Sequence, residues 1–195
     1  MFSDLFITAL YTVFIQNIIF SGGYGISEAL RAATKPRRFV LFSVMITFFA
    51  VATALISRTL DLIPAVNRLS ATAHLVLCAA VLVFVFLGTV SLMVMTLHPP
   101  EKFLSTMGMA ALNSLVLSAP FLNRQAGYSV AGSIGSGFGV GIAFAVAALL
   151  LGKGLERLSA NKHIPEAFRG APALFLYTSL ISLAFSGFSG RAMFS

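Results

Sequence analysis

Residues 75–97 read LVLCAAVLVFVFLGTVSLMVMTL, from Leu75 to Leu97 without one Asp, Glu, Lys or Arg. The run is apolar all round, unlike a surface helix, and it matches the roughly 20 residues a helix needs to cross a hydrocarbon core. Such a core expels charge. Five more charge-free windows share the property, approximately Leu5–Ser27, Phe39–Ser57, Phe103–Asn123, Gln125–Gly152 and Ala171–Gly190. The pattern predicts an all-α membrane protein, one domain over residues 1–195 with six transmembrane helices.

The bulk composition agrees. Mean hydropathy is +0.94, and charged residues make up 10%, where a soluble domain carries about 25%. Nineteen Phe and no Trp leave Tyr11, Tyr24, Tyr128 and Tyr177 as the aromatic residues suited to the membrane interface. The net charge of +7 sits in loops between spans, a pattern that fits anionic lipid and not nucleic acid. A single cysteine, Cys78, excludes an internal disulfide and a metal site made of cysteines alone. No basic region precedes the first apolar run, which is expected to be a span and not a cleavable leader.

Loop charge predicts the orientation. Arg31, Lys35, Arg37, Arg38, Lys102, Lys153, Arg157, Lys162 and Arg169 fall on one side, which is nine of the thirteen basic residues; Arg58, Arg68, Arg124 and Arg191 fall on the other. The richer side is expected in the cytoplasm, with both termini external. In the longer loop Arg58–His74, the spacing of Leu62, Val66 and Leu69 fits either a short interfacial helix or a plain surface loop.

Three spans are interrupted. The first carries Gln16-Asn17 and then Ser21-Gly22-Gly23-Tyr24-Gly25; the fourth carries Asn113-Ser114 and Pro120. The fifth carries Gly132, Gly135, Gly137, Gly139 and Gly141. Its pairs Gly135/Gly139 and Gly137/Gly141 have the small-xxx-small spacing of close helix contacts. A nucleotide loop is excluded, because no strand precedes these glycines and no acidic residue follows to hold a ribose. Gln16-Asn17-Ile18-Ile19-Phe20-Ser21 can be laid over Asn113-Ser114-Leu115-Val116-Leu117-Ser118, a polar pair, three apolar residues, then Ser. With three spans on each side of residue 97, the halves 1–97 and 98–195 are expected to form inverted repeats whose broken helices meet near the midplane.

The C-terminal third carries a recognisable signature. Ile164-Pro-Glu-Ala-Phe-Arg-Gly170 and Ser182-Leu-Ala-Phe-Ser-Gly-Phe-Ser-Gly190, with Leu155-Glu-Arg-Leu158 upstream, resemble the A subunit of Rnf electron-transport complexes. They also resemble the E subunit of the sodium-translocating NADH:quinone reductase. Gln16-Asn17, Leu112-Asn-Ser-Leu-Val-Leu117 and Gly137-Phe138 extend the likeness nearly end to end. The resemblance implies six spans, external termini and an inverted repeat. It also implies residence in the bacterial cytoplasmic (inner) membrane beside an oppositely oriented homologous six-span subunit, together with other electron-transport complex subunits.

In that family each half of the protein supplies one cysteine, and with the homologous partner four cysteines hold an intramembrane iron–sulfur cluster. The second-half motif Thr-Asn-Cys-Ala-Val-Leu meets Ser114 here. The first-half Gly-Leu-Cys-Pro run meets Gly22-Gly23-Tyr24-Gly25, and Cys78 matches neither position. A hydroxyl is a poor replacement for a thiolate ligand. The chain alone is therefore expected to bind no cofactor.

The residues left to carry chemistry are few. Gln16, Asn17, Asn113 and Ser114 are candidate ion-path or helix-break polar residues, set against plain hydrogen bonding between spans. No carboxylate lies inside a predicted span, which argues against an Asp/Glu proton relay. His74, His98 and His163 fall at span edges on different sides, so metal binding is not expected. Glu156, Arg157, Glu166 and Arg169 form a charged collar suited to docking a partner or to marking the boundary. The function expected is an integral, non-catalytic subunit of an Rnf/Nqr-type redox-driven ion-translocating complex. The alternative is a free-standing transporter on the same scaffold. An integral membrane enzyme has no nucleophile–base pair or metal set in its favour.

Overall fold

The computed structural model describes residues 2–33 and 36–188, the side chains of residues 36–38 and 188 excepted. Lys35, Gly190 and Arg191, and the side chains of Arg37 and Arg38, therefore lie outside the described residues. Every described element is helical. In chain order they are α1 (Phe2–Phe14), α2 (Ile18–Gly22), α3 (Ile26–Ala33), α4 (Pro36–Leu60) and α5 (Pro64–Asn67). Then come α6 (Ala71–Leu97), α7 (Glu101–Ala111), α8 (Ser114–Gln125), α9 (Val130–Ala160), a 3-10 turn (Glu166–Phe168) and α10 (Ala171–Phe188).

Each predicted window holds a helix. Phe39–Leu60, Ala71–Leu97, Glu101–Gln125 (α7 with α8) and Val130–Ala160 are long and apolar enough to cross a membrane, while α1 and α10 are shorter apolar helices. Two of the three expected interruptions appear, while the glycine-rich fifth span is one unbroken helix, α9, because its glycines serve helix contact and not a break. The first span breaks between Phe14 and Ile18, the fourth between Ala111 and Ser114.

Helix α9 is the spine, and its glycines explain how neighbours reach it. A Cβ on Gly139 would fall 2.7 Å from the Ala9 carbonyl oxygen, and one on Gly135 would strike the Leu5 backbone, so this pair admits α1. On the other side a Cβ on Gly137 would fall 2.7 Å from Val51 Cα, and one on Gly141 would meet Thr47, so that pair admits α4. The two small-xxx-small pairs thus serve two different helices of the same chain. Any larger residue would push the backbones apart and forfeit the dispersion contacts that hold helices together in lipid. Around this spine Ile46, Phe49, Leu115, Val116, Phe144 and Leu151 are fully buried.

The periphery is looser. Helix α6 buries only His74, Cys78, Val81, Leu82 and Val85, a single stripe at helical spacing. Helix α10 is tied down by Phe185, stacked on Phe20 with ring centroids 4.8 Å apart, and by the Tyr177 hydroxyl, which donates to the Leu150 carbonyl. Between α4 and α6 the long loop contains only the one-turn helix α5, with Val66 inside it and Leu62 and Leu69 exposed beside it.

Candidate functional site

A break in a membrane helix strands backbone groups that hydrocarbon cannot satisfy, at several kcal/mol for each. The chain solves this identically at its two breaks. After α1, the Asn17 side chain accepts from the Phe20 N–H at 3.2 Å and donates to the Val13 carbonyl at 2.9 Å. After α7, the Asn113 side chain accepts from the Val116 N–H at 2.9 Å and donates to the Ala110 carbonyl at 2.8 Å. Each asparagine caps the second half-helix and reaches back to the first, stapling one segment across its own gap. Both are buried. Their amides are used within their own segments and do not bond between spans.

The two breaks nonetheless meet. Gly23 and Gly25 both take φ +73°, a left-handed conformation that glycine adopts without strain. The turn they make brings the Gly25 N–H to Ser114 Oγ, a bond of 3.3 Å. Ser114 and Gly22 through Tyr24 lie exposed on the outside of the chain, whereas Gly25 is buried. Gln16 turns elsewhere: its Oε1 accepts from the Tyr128 hydroxyl at 3.1 Å, beside a cleft of 340 Å³ lined also by Ile7, Thr8, Tyr11 and Ala126. The four singled-out residues therefore divide into two staples, one contact between segments and one outlying amide.

The residues at this apex do not fit a thiolate-held cluster. Ser114 offers a hydroxyl and Tyr24 a phenol, and Gly25 beside it has no room for a side chain, because its Cβ would fall 2.8 Å from Leu115 Cβ. The free thiol of Cys78 is engaged elsewhere: its Sγ lies 3.6 Å from His74 Nδ1. Among the described residues no group of three or more His, Cys, Asp or Glu is placed to hold a metal.

A second polar assembly escaped the sequence reading. Asp61, directly after α4, is 5% exposed, and His74, in the first turn of α6, is fully buried. His74 Nε2 lies 2.9 Å from Asp61 Oδ1, so the imidazole bridges a carboxylate and a thiol. Arg58 and Arg124 approach the same carboxylate at 4.0 and 3.9 Å. Arg124 also donates to the carbonyls of Asn67 and Leu69 at 2.8 and 3.1 Å. It thereby pins the long α4–α6 loop against the end of α8. The signal available in the sequence was the i, i+4 spacing of His74 and Cys78, which places both on the inner stripe of α6. Cys78 is fully buried, so this pair is closed to a substrate.

A family model described as Rnf-Nqr subunit, membrane protein, matches residues 5–192. The chain belongs to the Rnf-Nqr family of membrane subunits. Among its relatives, the A subunit of the ion-translocating oxidoreductase complex of Aromatoleum aromaticum is 45% identical over 78 residues, 40% of either chain. The protein of that name from Cereibacter sphaeroides is 39% identical over 80 residues, 41% of either chain. The A subunit of the proton-translocating ferredoxin:NAD(+) oxidoreductase complex of Clostridium ljungdahlii is 32% identical over 80 residues, again 41% of either chain. The chain thus spans about two fifths of the length of each of these relatives in the matched segments. In this Rnf-Nqr chain, the apex where the two breaks meet carries Ser114 and the Gly22–Gly25 turn.

Proposed function

We propose that this chain is an integral subunit of a redox-driven ion-translocating electron-transport complex of the Rnf/Nqr type, acting as scaffold and not as a cluster carrier. The observation that carries the reading is the contact between Gly25 and Ser114. It joins the two stretches that the resemblance matches to the family's cysteine motifs, Gly22–Gly25 and Asn113–Ser114, and so supports a scaffold kept without thiolate ligands. The matching staples at Asn17 and Asn113 support two inverted halves, residues 1–97 and 98–195, within six spans. The Arg124 bonds to Asn67 and Leu69 support the alternation of loops, since they put the second and fourth loops on one side. With the basic loops opposite, both termini are external and the membrane is the bacterial cytoplasmic one.

The exposed apex supports a partner. Leu112 is 51% exposed and Tyr24 41%, beside the Ser114 hydroxyl and the glycine turn. Polar backbone facing lipid is costly. An oppositely oriented homologous six-span subunit would cover this face with its own apex. The ion-path role of Gln16, Asn17, Asn113 and Ser114 is thereby confined to Ser114 and Gln16, because both asparagine amides are consumed as staples.

Affinity purification from native membranes in mild detergent tests the reading. The expected result is co-purification of a second six-span homologue and further electron-transport subunits, with neither iron nor acid-labile sulfide bound by the isolated chain. A stable, monodisperse chain that purifies alone would replace the complex with a free-standing transporter. Stoichiometric iron that survives Cys78→Ala would overturn the ligand argument.

A further inference from the structure

Where α9 ends and α10 begins, the chain forms a cleft of 540 Å³ lined by Leu155, Leu158, Lys162, Arg169, Gly170 and Leu174 among others. Its volume is that of a small-molecule site, about 300–1,000 Å³. Its chemistry is divided by depth. Leu155 and Leu158 on α9 and Leu174 on α10 form an apolar wall that runs into the spans. Lys162 and Arg169, both exposed, lie beyond the end of α9 in the segment that leads to α10, whereas the three leucines are half-buried.

The two cations are unneutralised although Glu156 and Glu166 belong to the same segment. Among the described residues, neither Lys162 nor Arg169 forms an ion pair with a carboxylate; the pairs of Arg58, His74 and Arg124 all converge on Asp61. Arg169 is also held in place: its Nε donates to the Ile164 carbonyl at 2.9 Å and its Nη2 to the Lys162 carbonyl at 3.1 Å. A guanidinium fixed in this way loses little further entropy when it binds an anion. Gly170, at φ +79°, has nothing within 4 Å of where a Cβ would stand, so the mouth stays open.

We infer that this cleft binds the headgroup of an anionic phospholipid, with the phosphate between Lys162 and Arg169 and an acyl chain along Leu155, Leu158 and Leu174. Basic pockets between membrane helices hold such headgroups by this division of labour. The amphiphile fits both halves of the cleft. A free anion would leave the leucine wall unused, and a neutral lipid would leave two cations unpaired. The inference holds for either orientation of the chain and does not depend on the proposed complex.

The test is native mass spectrometry of the purified full chain, titrated with phosphatidylglycerol, with phosphatidylcholine of the same acyl chains, and with glycerol phosphate alone. Phosphatidylglycerol is expected to be retained at least tenfold over phosphatidylcholine, and glycerol phosphate not to be retained. Lys162→Gln should lower retention about fivefold, the effect of one basic side chain at an anionic surface. Arg169→Gln should lower it at least as far, and Arg68→Gln, exposed on the α4–α6 loop, should leave it unchanged. Lys162→Gln keeps the test independent of folding, because that side chain is exposed and only its backbone meets Arg169. Equal retention of the two lipids, or phosphatidylglycerol retention indifferent to both substitutions, would overturn the inference. Equal binding of glycerol phosphate would make the cleft a free-anion site and would overturn it too.

Discussion

The apex of the two helix breaks and the node around Asp61 are both polar assemblies in an apolar chain, and they are built on opposite terms. The apex is neutral, assembled from backbone, hydroxyl and amide, and open on one side. The node is charged and closed, with a fully buried imidazole between a carboxylate and a thiol. Open polar groups in a membrane protein ask for something to cover them, whereas closed ones have already found their partners. The contrast separates a surface prepared for assembly from a joint that holds the fold together.

The contrast is broken most sharply at the node. Asp61→Ala leaves the guanidiniums of Arg58 and Arg124 facing one another beside His74 with no counter-charge. Removing one member of a buried ionic group costs about 3–5 kcal/mol. A large fall in the thermal unfolding midpoint of the purified chain is therefore expected, and Arg124→Gln combined with it should recover part of the loss in a double-mutant cycle. If Asp61→Ala unfolds like the parent, the node is not a joint.

Next in size are the staples. Asn17→Ala and Asn113→Ala each take the side-chain partner from one carbonyl and one N–H in a buried setting. A buried group left unsatisfied costs about 1–3 kcal/mol. The two losses should agree within about 1 kcal/mol, since the bonding is the same; a silent substitution at either site would show that the halves are not equivalent.

Much of the apex was legible and little of the node was. Gln16-Asn17 and Asn113-Ser114 stand out because amides inside an apolar run are expensive, and expense at matched positions points to a shared local device. The glycines of α9 announced close packing, yet not that Gly135/Gly139 would face α1 and Gly137/Gly141 α4, which depends on how the helices cross. Asp61 was hidden because it sits just beyond a predicted span and reads as a loop residue. Of its partners only Arg58, three residues earlier, is local; His74 comes from 13 residues onward and Arg124 from α8, separations that no local pattern records. Arg58 and Arg124 were counted for topology, and the structure turns both inward to a carboxylate. The same fact explains why the sequence offered no carboxylate inside a span while the structure buries one at the edge of α4.

A smaller effect separates two glycines with the same backbone. Gly23 and Gly25 share φ +73°, so an alanine at either incurs the left-handed penalty of about 1–2 kcal/mol. Gly23 has nothing within 4 Å of a Cβ, whereas at Gly25 that atom would fall 2.8 Å from Leu115 Cβ. Gly25→Ala should therefore destabilise the chain more than Gly23→Ala does, and should also release the bond to Ser114. Equal melting points for the two variants would mean that Leu115 yields and that the apex is softer than its packing suggests.

The smallest expected change in stability is at Ser114, and there the contrast between open and closed becomes a test of function. Ser114→Ala removes one long hydrogen bond made by an exposed hydroxyl to the N–H of the buried Gly25. A hydrogen bond of this kind contributes about 0.5–1.5 kcal/mol, so the unfolding midpoint should fall only slightly. Ser114→Trp should also leave the isolated chain folded, because the position is exposed, but it places a bulky ring on the face assigned to the partner. Co-purification of that six-span homologue should then fall steeply with Ser114→Trp and remain with Ser114→Ala. A tryptophan that leaves the complex intact would show that the apex is open to lipid, and that its surviving architecture serves no interface.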